Sequence, residues 1–361
     1  MQTRRYPRAG GDPPPRRGNR AGGAWIPAFA GMTYQNIVDF SPEAPMSPPR
    51  VSVIIPVRNG KDYLQEALDS VLQQSFTNLE LLLINDGSTD DDYDRYALQD
   101  ERIRVIHLTG KGVSHARNTG MAQARGDLLA FLDADDIWFP GKLQAQVNYF
   151  DEHPEVGVVF GKFIRWNAQP DGQFPPASSL IEDAAQFTDA DPERSGWLYT
   201  RLLDGLLVGM NTAVVRRSVY EAVGGFNEAM RQGEDYDFWL KTSRVAQMHS
   251  LNGPVALYRI HNASAMHRLS DDSHLVNLLH GASLRWGLNT HGDQQLGRRS
   301  FDKRLAGVYF DHAYAHYWYG NRMIARAAFW QALRRRHRPL RCLAYIVLSY
   351  LPVHAKPTAA H

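Results

Sequence analysis

The stretch Leu128-Leu-Ala-Phe-Leu-Asp-Ala-Asp-Asp-Ile137 decides the fold. Five apolar residues run without a break, and three carboxylates follow within four positions. An unbroken apolar run fits a strand buried on both faces of a parallel sheet. Open α/β sheets bind their ligands at the carboxyl ends of such strands, which is where Asp133, Asp135 and Asp136 fall. Two carboxylates one residue apart can hold a hard divalent cation and leave positions open for phosphate oxygens. An isolated Asp-x-Asp is more often a solvated acidic loop after a strand, so its meaning depends on what the rest of the chain supplies.

Working outward, the segments before this strand alternate between two periods. Val51–Val57 reads as a buried strand, and residues 62–74 carry Leu64, Ala67, Leu68, Val71 and Leu72 at helical spacing. Leu79–Ile84 is a second strand, ending in the turn Asn85-Asp-Gly-Ser-Thr-Asp90. Residues 104–108 form a third strand and 113–124 a helix carrying Arg117 and Asn118. This alternation predicts a parallel α/β layer with right-handed crossovers. After Asp136 the order becomes mixed. The pattern predicts a helix over 142–150, a strand over 156–164, a loop over 167–192 and a strand over 211–216. A short helix over 218–223, a helix over 234–244 and a strand over 255–260 follow. From about 270 the chain is helical. Two apolar helices turn at Gly320-Asn321 in a hairpin like one tetratricopeptide unit, a single copy of which is weak evidence for a repeat.

At 361 residues the chain can bury one large core or two ordinary ones. A net charge of +2 says little by itself, but the region between the basic ends is mildly acidic, which argues against nucleic-acid binding by overall charge. Its distribution is uneven: seven arginines lie in the first 50 residues, and no acidic residue follows Asp311. The single cysteine, Cys342, excludes an intramolecular disulfide and fits a reducing, cytoplasmic setting. No apolar run approaches the length needed to span a bilayer. Residues 1–49 are rich in Pro, Gly and Arg, show neither period and read as disordered. Residues 25–33 resemble translated intergenic repeat sequence, and the expected start of synthesis is Met46. The basic cluster Arg334-Arg-Arg-His-Arg338 before the apolar 343–353 segment suggests weak contact with an anionic membrane surface, in even competition with a packed hairpin bearing a solvated basic face.

Several short segments could carry chemistry, and each has a plainer alternative. The Asp86 turn at a strand end could accept hydrogen bonds from a base or ribose, with Gly87 permitting close approach; taken alone, such a turn is more often a plain helix cap by Ser88 or Thr89. Arg117 could meet phosphates, or be a surface arginine. Glu234 and Asp235 open a helix, where carboxylates are favoured by the macrodipole and the free N–H groups. An ionised carboxylate there could also take a proton from a hydroxyl. His261 could be a metal ligand or phosphate contact, or an exposed strand-end histidine.

Taken in order, Val53-Ile-Ile-Pro-Val-Arg-Asn59, Asn85–Asp90, Ala116-Arg-Asn118, Phe131-Leu-Asp-Ala-Asp-Asp136, Gly224-Gly-Phe-Asn-Glu228 and Gly233-Glu-Asp-Tyr-Asp-Phe-Trp-Leu240 resemble a family 2 glycosyltransferase of the GT-A fold. The resemblance implies a Rossmann-like, mainly parallel α/β sheet over 50–265, flanked by an N-terminal segment 1–49 and a helical region 266–361. It implies inverting transfer of a sugar from a nucleotide diphosphate sugar, usually a UDP-sugar, with Mn²⁺ or Mg²⁺. The hydroxyl acceptor would be a glycan, lipid-linked or otherwise, in cell-surface glycan or polysaccharide synthesis. By motif position, Pro56, Val57, Asn59, Asp86, Gly87, Arg117, Asp133 and Ala134 would contact the donor. Asp135, Asp133 and His261 would meet the metal. Asp235 would be the general base, with the division of labour between it and Glu234 open.

Two rival readings remain at this level. Leu128–Ile137 also resembles the opening of a haloacid-dehalogenase phosphatase, which leaves the Asp86 turn and the Gly233–Leu240 segment unexplained. The other rival is a nucleotide-sugar-binding module without catalysis.

Overall fold

The computed structural model describes residues 48–261, 269–291 and 295–351. The reading of residues 1–47, the expected start at Met46 included, lies outside the described residues. The described residues belong to one compact unit.

Four parallel strands come first: β1 (Val51–Val57), β2 (Leu79–Asn85), β3 (Ile103–His107) and β4 (Leu128–Phe131). They are joined by helices α1 (Lys61–Leu72), α2 (Asp94–Ala97) and α3 (Val113–Gln123). The two-residue β5 (Ile137–Trp138), α4 (Lys142–Glu152) and β6 (Val156–Asn167) follow. Then come α5 (Tyr199–Asp204), β7 (Val214–Arg216), α6 (Arg217–Val223), α7 (Glu234–Thr242) and β8 (Gln247–Ile260). The eight strands form one sheet in the order β3-β2-β1-β4-β7-β6-β8-β5. β7 is antiparallel to β4 and β6, β8 is parallel to β6, and β5 is antiparallel to β8.

The unbroken apolar strands are buried on both faces because the period-2 pleat sends alternate residues to two cores. Ile54, Leu82, Ile84, Leu129 and Phe131 enter one core, with α3, α5 and α7. Val53, Ile55, Leu81, Leu83, Leu128 and Ala130 enter the other, with α1 and α4. Each fully buried aliphatic side chain contributes about 1.5–3 kcal/mol. The exception to the pattern is a polar pair at the far end of the sheet from the acidic loop. Ser52 Oγ donates to Glu80 Oε1 at 2.7 Å, and Arg104 and Arg125 close over the other oxygen. Burial alone would lift the Glu80 pKa, yet these partners hold it below the ordinary carboxylate value.

Most element bounds shift by a few residues from the sequence reading, and two of the differences have a visible local cause. Residues 210–212 form a 3-10 turn and only Val214–Arg216 is strand. β8 begins at Gln247 rather than Val255. Gly253 and Pro254 disguise this strand in the sequence; Pro254 is accommodated where the β6–β8 register shifts at Lys162.

The C-terminal helices are α8 (His274–Trp286), α9 (Arg298–Tyr319), α10 (Arg322–Arg334) and α11 (Pro339–Leu348). Val276, Leu279 and Ala282 of α8 and Phe301, Leu305 and Val308 of α9 join the same core as α3 and α7. From Phe310 onward, α9 packs instead on Ala325, Ala328, Phe329 and Ala332 of α10 and on Cys342 and Ile346 of α11. The α9–α10 turn is fixed by the Asn321 side chain, which accepts from Met323 N–H at 2.8 Å.

Candidate active site

The parallel register gathers the predicted motifs at one edge. Val57 pairs with Asn85, and Ile54 with Phe131. The Asn59 loop, the Asp86 turn and the Asp133–Asp136 loop therefore leave the sheet side by side. The first two are latched together. Asn59, at φ +53°, accepts from Thr89 N–H at 2.9 Å, while Ser88 Oγ accepts from Asn59 N–H at 3.0 Å. Gly87 adopts φ +74° beside the backbone of Gly110, a conformation in which a side chain would be strained. Asp86 is buried, and its two oxygens accept from the backbone N–H groups of Lys111 (2.9 Å) and Gly112 (2.7 Å). It thereby fixes the loop that leads into α3.

Arg117, on the buried face of α3, joins two distant motifs. Its guanidinium donates to Asp133 Oδ1 at 2.7 Å and to Glu234 Oε1 at 3.1 Å, and lies 5.4 Å from the centre of the Phe226 ring. Burial works against the Arg117 charge, but Asp133 and Glu234 outweigh it and raise its pKa above the ordinary value. One residue on, Asn118 accepts from Phe226 N–H (2.9 Å) and donates to Phe226 O (2.9 Å) and Glu228 Oε1 (2.8 Å). This explains Gly225: it has φ +82°, and a Cβ there would lie 2.7 Å from Asn118 Oδ1.

The acidic loop is held from the end of β8. Asp136 is buried and accepts from Asn211 Nδ2 (2.7 Å) and Arg259 N–H (2.9 Å). Burial, then the charges of Asp135 and Asp133, push its pKa well up. Arg259 Nε donates to Asp135 O at 2.7 Å, and another guanidinium nitrogen donates to Glu66. The guanidinium is boxed by Tyr63 (4.5 Å), Trp166 (4.1 Å) and Phe174 (4.9 Å). His261 Nε2 lies 3.0 Å from Asp135 Oδ2, and its ring packs tilted against Tyr63 with the ring centres 5.0 Å apart. Burial and Asp133 raise the Asp135 pKa, against the pull of His261.

Asp235 stands at the first turn of α7, where its Oδ1 accepts from Tyr236 N–H at 2.7 Å. Burial and Glu234 raise its pKa, opposed by Arg117. It lines a cleft of about 460 Å³ that opens between α7 and helices α8 and α9. The geometry thus brings Asp133, Arg117, Glu234 and Asp235 into one cluster, with Asp135 and His261 beside it. Pro56, Val57 and Ala134 lie on the same sheet edge.

Residues 52–224 match the family model described as Glycosyl transferase family 2. The chain carries a glycosyltransferase family 2 segment. It is 30% identical over 243 residues to an uncharacterized glycosyltransferase of Rickettsia felis, covering 64% of this chain and 37% of that protein. It is 31% identical over 222 residues to the uncharacterized glycosyltransferase EpsJ of Bacillus subtilis, covering 58% and 61%. The chain thus spans less than two thirds of the length of these relatives. Among solved structures it is similar to S. aureus TarS 1-349 in complex with UDP-GlcNAc, with TM-score 0.58, 18% identity, and 83% of this chain and 89% of that one covered. It is also similar to the mannosyltransferase PcManGT from Pyrobaculum calidifontis in complex with GDP-Man and Mn²⁺, with TM-score 0.50, 19% identity, and 85% and 87% covered. The fold is the expected GT-A α/β fold with a helical C-terminal region. The likeness covers more of the chain than residues 51–265 could supply, so part of the helical region is included.

Within this fold, a phosphatase loses its structural context. Its acidic strand would open the domain, whereas here β1, β2 and β3 precede β4. Pattern reading did not find Glu66, Tyr63, Trp166, Phe174, Asn211 or Arg259, which hold the acidic loop. Arg259 had a signal, its place two residues before His261; the aromatic box had none, because its members come from three separate parts of the chain. Among the described residues no group of three or more His, Cys, Asp or Glu is arranged to hold a metal ion by itself. Asp135 and His261 nevertheless offer an oxygen–nitrogen pair at one edge. Such a pair suits a divalent ion that fills its other positions with water or phosphate oxygens.

Proposed function

We propose that this chain transfers a glycosyl group from a nucleotide diphosphate sugar, first of all a UDP-sugar, to an acceptor hydroxyl with inversion. The observation that carries this reading is the Arg117 bridge. It joins the Asp133 end of the donor edge to the Glu234–Asp235 helix start, so that a donor and a base can face one reacting carbon. In this reading Pro56, Val57, Asn59, Asp86, Gly87, Arg117, Asp133 and Ala134 form the donor edge. Asp135 and His261 would hold Mn²⁺ or Mg²⁺, which when bound supplies positive charge to the diphosphate as it leaves. Asp235, which among the described residues makes no ion pair with an arginine as Glu234 does, takes the proton of the acceptor hydroxyl. The hydroxyl oxygen bonds the anomeric carbon from the opposite face as the bond to the diphosphate breaks. One displacement inverts the centre. Glu234 keeps Arg117 in place.

The raised pKa of Asp235 supports this assignment, since it brings a carboxylate closer to the range useful for a base. A thermal-shift screen of UDP-sugars and GDP-mannose, with and without Mn²⁺, tests the donor reading, because a ligand that binds only the native state raises the melting temperature. A metal-dependent rise with at least one donor is expected. No rise with any nucleotide sugar would sink the reading, and binding without transfer to any hydroxyl would leave a non-catalytic module.

We further place the chain at the inner face of a membrane, as part of cell-surface glycan synthesis. No helix among the described residues is long and apolar enough to cross a bilayer. However, Leu340, Leu343 and Val347 stand outward on α11 at 82%, 45% and 62% exposure, behind the Arg334–Arg338 cluster. An apolar helix face flanked by arginines suits an anionic lipid surface. Flotation with anionic liposomes should be salt-sensitive and lost in Leu340→Glu/Val347→Glu. Flotation equal with neutral liposomes would argue against it.

A further inference from the structure

Two clefts flank α9. The first is the one beside Asp235, which Asp272, His274, Arg304 and Asp311 also line. The second, about 720 Å³, lies between α9 and α11, walled by Phe310, Tyr314, Tyr317, Trp318 and Tyr345, with Arg341 among its lining residues. Asp311 lines both. Positions 304, 308 and 311 share one helical face, and 310, 314 and 317 the adjacent one. Moving from Val308 to Tyr314 advances about 9 Å along the helix.

The first cleft sets three carboxylates, Asp235, Asp272 and Asp311, against the guanidinium of Arg304. Carboxylates accept from hydroxyls and repel phosphate, so this cleft favours a neutral, hydroxyl-rich group over a phosphorylated one. The second cleft offers aromatic faces, of which Tyr314 is 39% exposed. A sugar ring presents C–H groups to such a face and hydroxyls to the polar rim, which is the combination aromatic and polar lining suits. The donor edge uses none of these residues.

We propose that the two clefts form one acceptor groove for a neutral oligosaccharide: the reacting hydroxyl lies at Asp235, and an earlier sugar unit stacks on the aromatic wall at Tyr314 and Trp318. This rests on the reading of Asp235 as the base. The C-terminal helices then set acceptor length and charge preference, while the sheet edge sets the donor.

The test uses the full chain and xylo-, cello- and chito-oligosaccharides of one to six units, with binding followed by saturation-transfer NMR and by UDP release from a UDP-sugar. At least one series should bind, about tenfold more tightly as a short oligomer than as the monosaccharide, which is the worth of one added stacking contact. Tyr314→Ala and Trp318→Ala should each remove that gain, leaving monosaccharide binding and slow donor hydrolysis unchanged. Arg341→Ala, on the exposed rim, is a milder variant that should weaken only the longer oligomers. The proposal is overturned if no series binds, if affinity is independent of length, if all three variants keep the length dependence, or if a sugar phosphate binds better than the neutral sugar. Retained turnover in Asp235→Asn with intact length dependence would overturn the base assignment alone, leaving the groove.

Discussion

Arg259 Nε donates to the backbone carbonyl of Asp135 at 2.7 Å. The end of β8 thereby grips the acidic loop by its backbone and leaves the Asp135 carboxylate facing His261. The aromatic box and Glu66 fix the guanidinium in turn. Lysine retains the charge but not the planar fork. Arg259→Lys should weaken Mn²⁺-dependent donor binding by about 10–100-fold, the usual effect of losing a residue that orients a ligand. Calorimetric titration with and without Mn²⁺ checks this. Unchanged metal dependence would reduce Arg259 to a packing residue.

The two carboxylate sites should separate in kinetics. Asp135→Asn removes a charged ligand and should weaken metal-dependent donor binding, slowing transfer through it. Asp235→Asn should leave donor binding nearly intact and cut turnover by about 10²–10⁴-fold. Equal loss of donor binding in both variants would show that Asp235 is not the base, and Glu234 would be next.

Asp235 must be ionised to accept a proton, and burial and Glu234 raise its pKa above the ordinary aspartate value. The acid limb of kcat/KM should therefore lie at higher pH than an exposed aspartate would give. Glu234→Gln removes one negative neighbour and frees Arg117, so the limb should move to lower pH. A shift the other way in a pH–rate profile would contradict the cause assigned here.

Lys142 is fully buried, with Nζ 2.7 Å from Gln146 Oε1 and 3.9 Å from the centre of the Trp138 ring. Burial pulls its pKa well below the ordinary lysine value. The unfolded chain thus binds more protons than the folded one between the two pKa values, and stability rises with pH across that window, up to about pH 10. Lys142→Met removes the penalty. Its melting temperature should exceed that of the parent at neutral pH, by a margin that shrinks toward pH 10. A margin that grows with pH would refute the sign.

Removing Arg117 should be costly for folding as well as function. It would leave Glu234 with a mostly buried charge and no ion-pair partner among the described residues, a loss of about 3–5 kcal/mol for a broken buried pair. Arg117→Met/Glu234→Gln should recover much of that stability without recovering transfer. Denaturant unfolding of the single and double variants measures both.

The sequence by itself determined the parallel half of the sheet. Unbroken apolar runs such as Leu79–Ile84 and Leu128–Leu132 have few ways to be buried, and the helical spacing between them leaves one order of elements. It also set Asp86 and Asp133 at one end of the sheet, because both follow parallel strands. Where local pattern weakened, so did the reading: β8 is interrupted by Gly253 and Pro254, and only its pairing with β6 identifies Gln247 as its start. Tertiary structure alone decided how the motifs divide their contacts. Arg117 reaches across 117 positions to Glu234, and Arg259 across 193 to Glu66. No local period encodes such contacts, since they arise from the crossing of α3, α7 and β8 over one sheet edge. The same holds for the groove beside α9. A helical stripe shows which residues are apolar, but only packing decides which of them are left facing a cleft.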